Sequence, residues 1–437
     1  MKDSLTYTQL LRRNRSFRRL WIGQVISELG NWFNFIAALG LVRVVSNAAP
    51  EATTIVLLSR LVPFTLFAPL AGAFVDRWSR RTVMIVTDLV RVVIALGFLL
   101  VRRPEDVWIA YVCTAALSVF GTFFEAAKNA AVPNITGERD LLAGNALMFS
   151  SRFLLMSLGA ALGGWTAAHA GYEAAFLINA LSFIGSAYSV WLVPEEETRS
   201  NLVVSEEPKS VYRGYWSDMR EGWTYIVTHA PVATILGINI LWATGGGAMN
   251  LIAERLGALE FGRDQGVSPD AAVAAFYFAG GFGLFIGMMI ARRVGAFFEL
   301  RKRTVAFIGW TLFIQGILYA LAGVMPSLVW SCVMVCVSRV LLGAEFAVQE
   351  TLLMRLVPDN LRGRVSTSDR AAEMMIWALS TAVAGWSLHW ITARSLTVIS
   401  GLLSGTAGLL WLMLFVTRKV RLPKKVAGHR YAQVATD

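Results

Sequence analysis

The sequence is poor in charged residues, cysteine and histidine. Asp, Glu, Lys and Arg make up 16% of its 437 residues, whereas soluble globular domains contain about 25%. Its three cysteines, Cys113, Cys332 and Cys336, all lie in apolar runs, which argues against a disulfide framework. The four histidines are scattered and predict no metal site, and no Walker loop accompanies a soluble domain. We therefore expect no enzyme, metal, cofactor or direct use of ATP.

Long apolar runs make up most of the chain. Hydrophobic residues account for 56% of the sequence, and its mean hydropathy is +0.55. A helix that crosses a hydrocarbon core needs about 20 mostly apolar residues. Scanning at that length predicts twelve spans: 18–42, 54–75, 82–101, 107–130, 145–168, 173–193, 231–253, 271–291, 304–324, 327–353, 369–391 and 395–416. The first run continues past Gly40 with no small-residue cleavage site, so we expect no cleaved signal peptide.

The basic residues predict which side of the membrane each loop faces. Most of the 40 Lys and Arg residues fall on one side, in the two tails, the linker 194–230 and the loops that share its side. The positive-inside rule makes that side cytoplasmic, and an even number of spans places both termini there. Topology thus explains the formal charge of +11, and since the basic residues are not gathered on one soluble domain, no nucleic-acid partner is expected.

The linker 194–230 divides the chain into two sets of six spans. It begins as a polar stretch and continues as "YRGYWSDMREGWTYIVTHA", which predicts an amphipathic helix at the membrane interface. The halves echo each other, because "EAAKNAAVPN" from Glu125 and "ETLLMRLVPD" from Glu350 both end a fourth span with Val-Pro. The predicted domains are a six-helix bundle over 1–193, the linker, a second bundle over 231–420 and a cytoplasmic tail over 421–437.

The loop between the second and third spans carries a specific motif. In "GAFVDRWSRR" the pattern G-x-x-x-D-R-x-x-R-R is formed by Gly72, Asp76, Arg77, Arg80 and Arg81. This motif, in that loop of a chain with twelve spans, resembles the major facilitator superfamily over essentially the full length. The stretches "RSFRRLWIGQVISELGNW" and "TDLVR" are similar to the branch of the enterobactin exporter, the macrolide efflux pumps and Tap-type drug exporters. The resemblance implies an all-α, monomeric secondary transporter in a bacterial-type cytoplasmic (inner) membrane.

The resemblance also implies a conformational latch at the cytoplasmic side, where the halves of such transporters close and open. Asp76 is expected to be attracted by the positive end of the eleventh helix, which the capping pattern "STSD", ending at Asp369, predicts to begin near residue 366. Arg77 then needs an acid, and Glu125 is the expected partner. The alternative is that the arginines of the loop serve only as topology determinants. That alternative does not explain Asp76, because an acid contributes little to orientation.

Two charged residues fall near the middle of predicted spans. Glu28 lies in the first span and Arg339 in the tenth, and an ionisable group at that depth suggests a function. The resemblance places both on cavity-lining helices of opposite halves, where facing each other is one hypothesis. Glu28 is our candidate for proton coupling, and the alternative is a static pair with Arg339 or a polar helix contact. The branch usually has an acid where this chain has Asn31, so that function has either moved one turn back to Glu28 or been lost.

Other charges come in pairs spaced three residues apart. Asp88 and Arg91, like Glu125 and Lys128, share this spacing in a helix and are expected to neutralise each other. Asp88 and Glu125 are also the next candidates for proton coupling after Glu28. Charges of the tenth and eleventh spans repeat this kind of network, namely Glu345, Glu350, Asp369, Arg370 and Glu373. The second half has Ala291 where Asp76 would correspond, so its latch is degenerate.

The fifth span contains the small-residue stretch "SLGAALGGW". Exporters of the superfamily often carry a Gly-rich stretch with Gly-Pro here, and Gly159, Gly163 and Gly164 match it while Ala160 replaces the proline. Small residues four apart also let helices approach closely. An antiport signature and plain helix packing therefore both remain open.

Aromatic and amide side chains outnumber charges on the expected cavity helices. The candidate cavity residues are Trp32, Phe35, Phe120, Phe124, Asn239, Trp242 and Asn250. Such a lining suits a bulky amphiphilic compound, so we expect a proton-coupled exporter of a drug-like or siderophore-like molecule, in contact with membrane lipids. A lysophospholipid flippase is the close alternative. A sensor or scaffold is the alternative from another class, but it does not need charges within the membrane.

Overall fold

The computed structural model describes residues 7–75, 77–198, 211–262, 265–359 and 361–416. Within these ranges the regular secondary structure is helical throughout. The chain divides into two compact units: unit 1 comprises Met1–Val211 and Gly266–Phe278, and unit 2 comprises Tyr212–Gln265 and Ala279–Asp437. In the described part of the chain, ten helices are long and apolar enough to cross a membrane.

Unit 1 is built from the first six helices and the start of a later one. They are α1 (Tyr7–Arg13), α2 (Arg15–Val45), α3 (Pro50–Val75), α4 (Arg80–Gly97), α5 (Val107–Trp191), α6 (Glu195–Thr198) and the residues of α10 (Pro269–Leu300) up to Phe278. The long α5 is broken twice, at Gly137 with φ 68° and at Gly171 with φ 83°. Only glycine adopts such backbone angles at little cost, so α5 consists of three helical segments that change direction at these two residues.

Unit 2 contains the rest of α10 and seven further helices. They are α7 (Val211–Thr228, whose first residue belongs to unit 1), α8 (Ala230–Gly246), α9 (Met249–Arg255), α11 (Thr304–Val324), α12 (Leu328–Leu356), α13 (Arg362–Ser387) and α14 (Ala393–Trp411). The predicted linker helix is α7. It packs on α12 and α13, where the Tyr225 hydroxyl donates to the Leu356 carbonyl over 3.2 Å and Arg364 pairs with Glu221.

One helix start differs from the sequence prediction. We expected the eleventh helix to begin near residue 366, with a cap from "STSD", but α13 begins at Arg362 after Leu361. Val357 is extended before Pro358 and ends α12, so the next helix starts within a few residues. Ser368 is consequently inside α13, and its hydroxyl donates to the Arg364 carbonyl one turn back over 2.9 Å. Asp369 lies in the second helical turn, and the predicted cap is wrong.

Candidate functional site

A cluster of three charged side chains lies at mid-helix in unit 1. Glu28 of α2 and Arg152 of α5 form an ion pair with 3.9 Å between Oε1 and Nε. Arg60 of α3 is close enough to interact electrostatically with both Glu28 and Arg152. Each is roughly 15–20 Å along the helix axis from the first residue of α2 or α3, or from residue 139 at the start of the middle segment of α5. We call Glu28, Arg60 and Arg152 the central charge cluster.

Aromatic rings hold the Arg60 guanidinium in place. Its Cζ lies 4.2 Å from the ring centroid of Phe35 and 5.5 Å from that of Trp32. These two rings and Tyr277 pack on one another with centroids 5.3–5.7 Å apart. A charge at the bilayer centre costs about 2.5–3.5 kcal/mol or more, whereas a cation–π contact recovers about 0.5–2 kcal/mol. The two rings therefore offset a substantial part of such a cost for Arg60.

Small residues of α5 allow the close packing that positions the cluster. A methyl group added at Gly159 would lie 2.7 Å from Trp32 Cβ, and one at Gly163 would lie 3.0 Å from the Phe33 backbone. The glycines of "SLGAALGGW" thus bring the middle segment of α5 against α2. This contact places Arg152 beside Glu28 and holds the Trp32 ring in place.

The side of the cluster that carries Arg152 is accessible. The Arg152 side chain is 53% exposed and that of Glu28 is 17% exposed, whereas Trp32, Phe35 and Tyr277 are buried. The sequence pattern indicated Glu28, Trp32 and Phe35 as site residues, but not Arg60, Arg152 or Tyr277. Arg60 was detectable as a lone charge within the apolar run of α3, but the position of Arg152 depends on how the helices pack.

The pairs spaced three residues apart form as expected. Arg91 donates to the Asp88 carboxylate, with both side chains buried, and the Arg91 guanidinium also lies 4.7 Å from the ring centroid of Phe124. Phe124 is thus packed in the interior of unit 1, 3% exposed, and does not line open space as predicted. The other pair joins Lys128 Nζ and Glu125 Oε1 over 2.6 Å. Phe120 is partly buried.

The loop motif is only partly visible. Asp76 lies outside the described residues, so the latch is not tested, and Gly72 and Arg77 are exposed. Glu125 was expected to pair with Arg77. Among the described residues it pairs with Lys128 instead and forms no ion pair with Arg77. Arg80 donates to the Ala130 carbonyl over 2.8 Å and Arg81 donates to the Trp191 carbonyl. These two arginines therefore fix the start of α4 to the ends of α5 segments, beyond any role in topology.

In unit 2, Arg339 is buried among neutral side chains. Its guanidinium lies 4.9 Å from the ring centroid of Tyr319 and contacts the Met249 sulfur. Glu28, for which Arg339 was one proposed partner, has its ion pair with Arg152.

The remaining predicted residues lie on α8, α9 and α13. The Asn239 amide donates to Asp369 Oδ2 over 3.2 Å and accepts from Gln349 over 2.5 Å. Asp369, which was expected to cap the helix end that attracts Asp76, is thus hydrogen-bonded inside unit 2. Trp242 packs on Trp377 with centroids 6.0 Å apart, and Asn250 is partly buried on α9.

The chain matches one protein family and several bacterial transporters in sequence. A family model described as the Major Facilitator Superfamily matches residues 20–367. The putative bacilysin exporter of Bacillus subtilis is 24% identical, over 63% of this chain and 66% of its own length. Macrolide efflux protein A of Streptococcus pyogenes is 21% identical, over 80% and 83%. An uncharacterized MFS-type transporter of Bacillus subtilis is 28% identical, over 43% and 44%. The match thus covers less than two thirds of the length of the first and the third of these relatives.

Solved structures share the fold at low identity. A bacterial homologue of the iron transporter ferroportin matches with a TM-score of 0.66 at 15% identity, over 91% of this chain and 98% of that one. A POT family transporter matches with a TM-score of 0.70 at 10% identity, over 92% and 96%. Because these identities are low, the two matches show a shared fold and nothing about function.

Proposed function

The chain belongs to the Major Facilitator Superfamily, and from that premise we propose that it exports a bulky amphiphilic small molecule by proton-coupled antiport. It is an integral membrane transporter and not an enzyme. Export is supported by two relatives whose names describe a bacilysin exporter and a macrolide efflux protein. Alternating access moves the substrate by exposing its site to one side of the membrane and then to the other.

The central charge cluster is the observation that carries this proposal. Glu28, Arg60 and Arg152 stand at mid-helix, where ionisable groups are costly and mark substrate or proton pathways. Aromatic side chains pack beside them, namely Trp32, Phe35 and Tyr277. An amphiphile presents both apolar and polar surface, and this cluster combines both kinds of partner.

We further propose that the chain crosses a bacterial inner membrane twelve times with both termini in the cytoplasm. The stretch Arg139–Trp191 is 53 residues long, which is enough for two crossings, and it breaks at Gly171. The 26-residue helix α13 would be the eleventh crossing. Its charged residues make it less apolar than the ten helices counted above. In this proposal the transporter acts as a monomer.

Proton coupling in this proposal centres on Glu28. A carboxylate that passes between a wet and a dry environment binds a proton in one and releases it in the other. Antiport requires that the proton and the substrate exclude each other at one site, and Glu28 is in position to bind either. Arg339, Glu125 and Asp88 remain further candidates, but Glu125 and Asp88 are each held by a basic residue one turn away.

The test of this function is flux in proteoliposomes with and without a pH gradient. Glu28→Gln should still exchange substrate down its gradient, because the amide resembles the protonated carboxyl group, but it should lose uphill export driven by the pH gradient. Glu28→Asp should keep part of the activity. Glu105→Gln, at an exposed residue before α5, is the matched control and should leave uphill export unchanged. Uphill export by Glu28→Gln at the wild-type level would exclude Glu28 as the coupling residue.

A further inference from the structure

The Arg60 guanidinium has a stacking surface but forms no ion pair among the residues that the structure describes. Phe35 and Trp32 lie against it, and the main-chain carbonyl of Arg60 accepts a hydrogen bond from the Ser118 hydroxyl over 2.5 Å. Among the residues that the structure describes, no carboxylate lies within ion-pair distance of this side chain. A guanidinium has five N–H donors, in a planar array that matches the two oxygens of a carboxylate. The aromatic contacts therefore orient an anion receptor.

The charges around Glu28 leave one positive charge in excess. Glu28 faces Arg152, and Arg60 adds a second cation within reach of its field. The nearby Glu125 also attracts Arg152 electrostatically, but the charge of Glu125 is already neutralised by its ion pair with Lys128. The titratable Tyr277 beside Arg60 is uncharged in its ordinary form. The cluster as a whole therefore favours a ligand that brings a negative group to Arg60.

The Glu28–Arg152 pair is loose. Its atoms are 3.9 Å apart, whereas a charge-assisted hydrogen bond is about 2.7–2.9 Å long. Arg152 is half-exposed on its long, flexible side chain. Glu28 can thus exchange this partner for a cationic group of a ligand without a rearrangement of the helices.

We propose that the central charge cluster binds a zwitterionic amphiphile, with the ligand's carboxylate on Arg60 and its ammonium group on Glu28. This inference rests on the proposed export function and names the substrate class of the same site. It also accounts for antiport, because a proton on Glu28 removes the negative charge that the ammonium group needs. Substrate and proton then compete for Glu28, while Arg60 holds the carboxylate in either case.

The test uses three probes that differ by one charged group at a time. The zwitterion is the dipeptide alanyl-(2-naphthyl)alanine, which has a free ammonium group, a free carboxylate and an apolar ring. Its C-terminal amide lacks the carboxylate, and its N-acetyl derivative lacks the ammonium group. Binding is measured calorimetrically on the full-length protein in detergent, so that it needs no pH gradient. The wild type should bind the zwitterion about tenfold or more tightly than either derivative, because a charged hydrogen-bond partner is lost in each.

Two variants assign the two contacts separately. Arg60→Gln should bind the acid and the amide with equal affinity while still preferring the free ammonium group over the N-acetyl form. Glu28→Gln should bind the free-ammonium and N-acetyl forms with equal affinity while still preferring the acid over the amide. In this variant the zwitterion's affinity should no longer fall as the pH is lowered. Arg370→Gln, which changes an arginine of α13 with a 55% exposed side chain, is the control and should keep both preferences. Thermal unfolding of each variant checks that it is folded.

The outcomes separate this inference from the proposed function. Equal wild-type affinity for the three probes would overturn it, as would an Arg60→Gln variant that is folded and keeps the acid-over-amide preference. If a neutral amphiphilic dye is exported against its gradient by a protein that does not discriminate among the probes, the export function stands and the zwitterion site falls. Discriminating binding without uphill export of any probe would support the site and remove the antiport.

Discussion

At the scale of single residues, the membrane charges of unit 1 differ in how closely they are paired. Asp88 and Arg91 are both fully buried, and the Arg91 guanidinium lies between the rings of Phe124 and Phe183, 4.7 and 4.3 Å from their centroids. Glu28, by contrast, is partly exposed and 3.9 Å from its partner. The first arrangement is typical of a structural pair, since a tightly paired, dry carboxylate has no path for exchange with water or ligand.

The structural role of the Asp88–Arg91 pair predicts a stability effect. Asp88→Ala should lower the free energy of unfolding by about 3–5 kcal/mol, because it leaves the buried Arg91 charge uncompensated. Arg91→Met should also destabilise, and the double variant should recover most of the loss. Denaturation in detergent, followed as a double-mutant cycle, measures this coupling.

A loss of transport without a loss of stability would indicate that Asp88 carries protons. If Asp88→Asn unfolds at the wild-type midpoint but loses export driven by a pH gradient, its carboxylate acts in transport and the structural assignment is wrong.

At the scale of helices, two glycines with positive φ decide where α5 bends. Gly137 and Gly171 have φ values of 68° and 83°, and in both cases a Cβ would meet no neighbouring atom. The requirement for glycine is therefore one of backbone conformation and not of space. Between the two bends runs the segment that carries Arg152, so these angles help to place the central charge cluster.

Replacing Gly171 should destabilise the protein through the backbone alone. Gly171→Ala places a Cβ at φ 83° and ψ 169°, a backbone region that essentially only glycine adopts, and should cost about 1–3 kcal/mol. The matched control is Gly237→Ala in α8, a helical glycine that is also free of neighbours within 4 Å. That change should leave stability equal or slightly higher, because alanine favours a helix. Thermal unfolding of both variants in detergent gives the comparison, and equal midpoints would show that the Gly171 angle is not needed.

At the scale of the whole molecule, hydropathy and topology give different counts. The described residues include ten helices that are apolar enough to cross a membrane, whereas our proposal has twelve crossings. One difference is the broken stretch Arg139–Trp191, and the other is α13, whose first turns carry several charges, namely Arg362, Arg364, Asp369, Arg370 and Glu373. These charges lower the mean hydropathy of α13, even though Asp369 and Glu373 are buried in the protein.

Cysteine labelling decides between the two counts. In a variant with the three native cysteines replaced by serine, a membrane-impermeant maleimide on intact cells should label single cysteines at Glu105, Ala170 and His389. Cysteines at Glu196 and Asp359 should react only after permeabilisation. All five positions are exposed. Protection of the cysteine at Ala170 would mean that 139–191 does not cross twice, and protection at His389 would mean that α13 does not cross.

Local patterns in the sequence were enough to predict the helices, the family and the close charge pairs. A long apolar run specifies a membrane helix because its backbone must satisfy its own hydrogen bonds in lipid. The spacing of Asp88 and Arg91, like that of Glu125 and Lys128, places both groups on one face of a helix. The loop motif is likewise contiguous. In each case the residues that interact are close in the chain.

Only the tertiary structure decided what surrounds Glu28 and Arg60. The Glu28–Arg152 pair joins α2 to α5, and the contact of Arg60 with Phe35 joins α3 to α2. In both, the orientation of one helix about its axis relative to another sets the distance, and the small residues at their interface set that orientation. Hydropathy is nearly the same on all sides of a membrane helix, so it does not show which face meets which neighbour. The start of α13 at Arg362 has a similar cause, because several residues can begin a helix and the packing of the chain around Pro358 selects one.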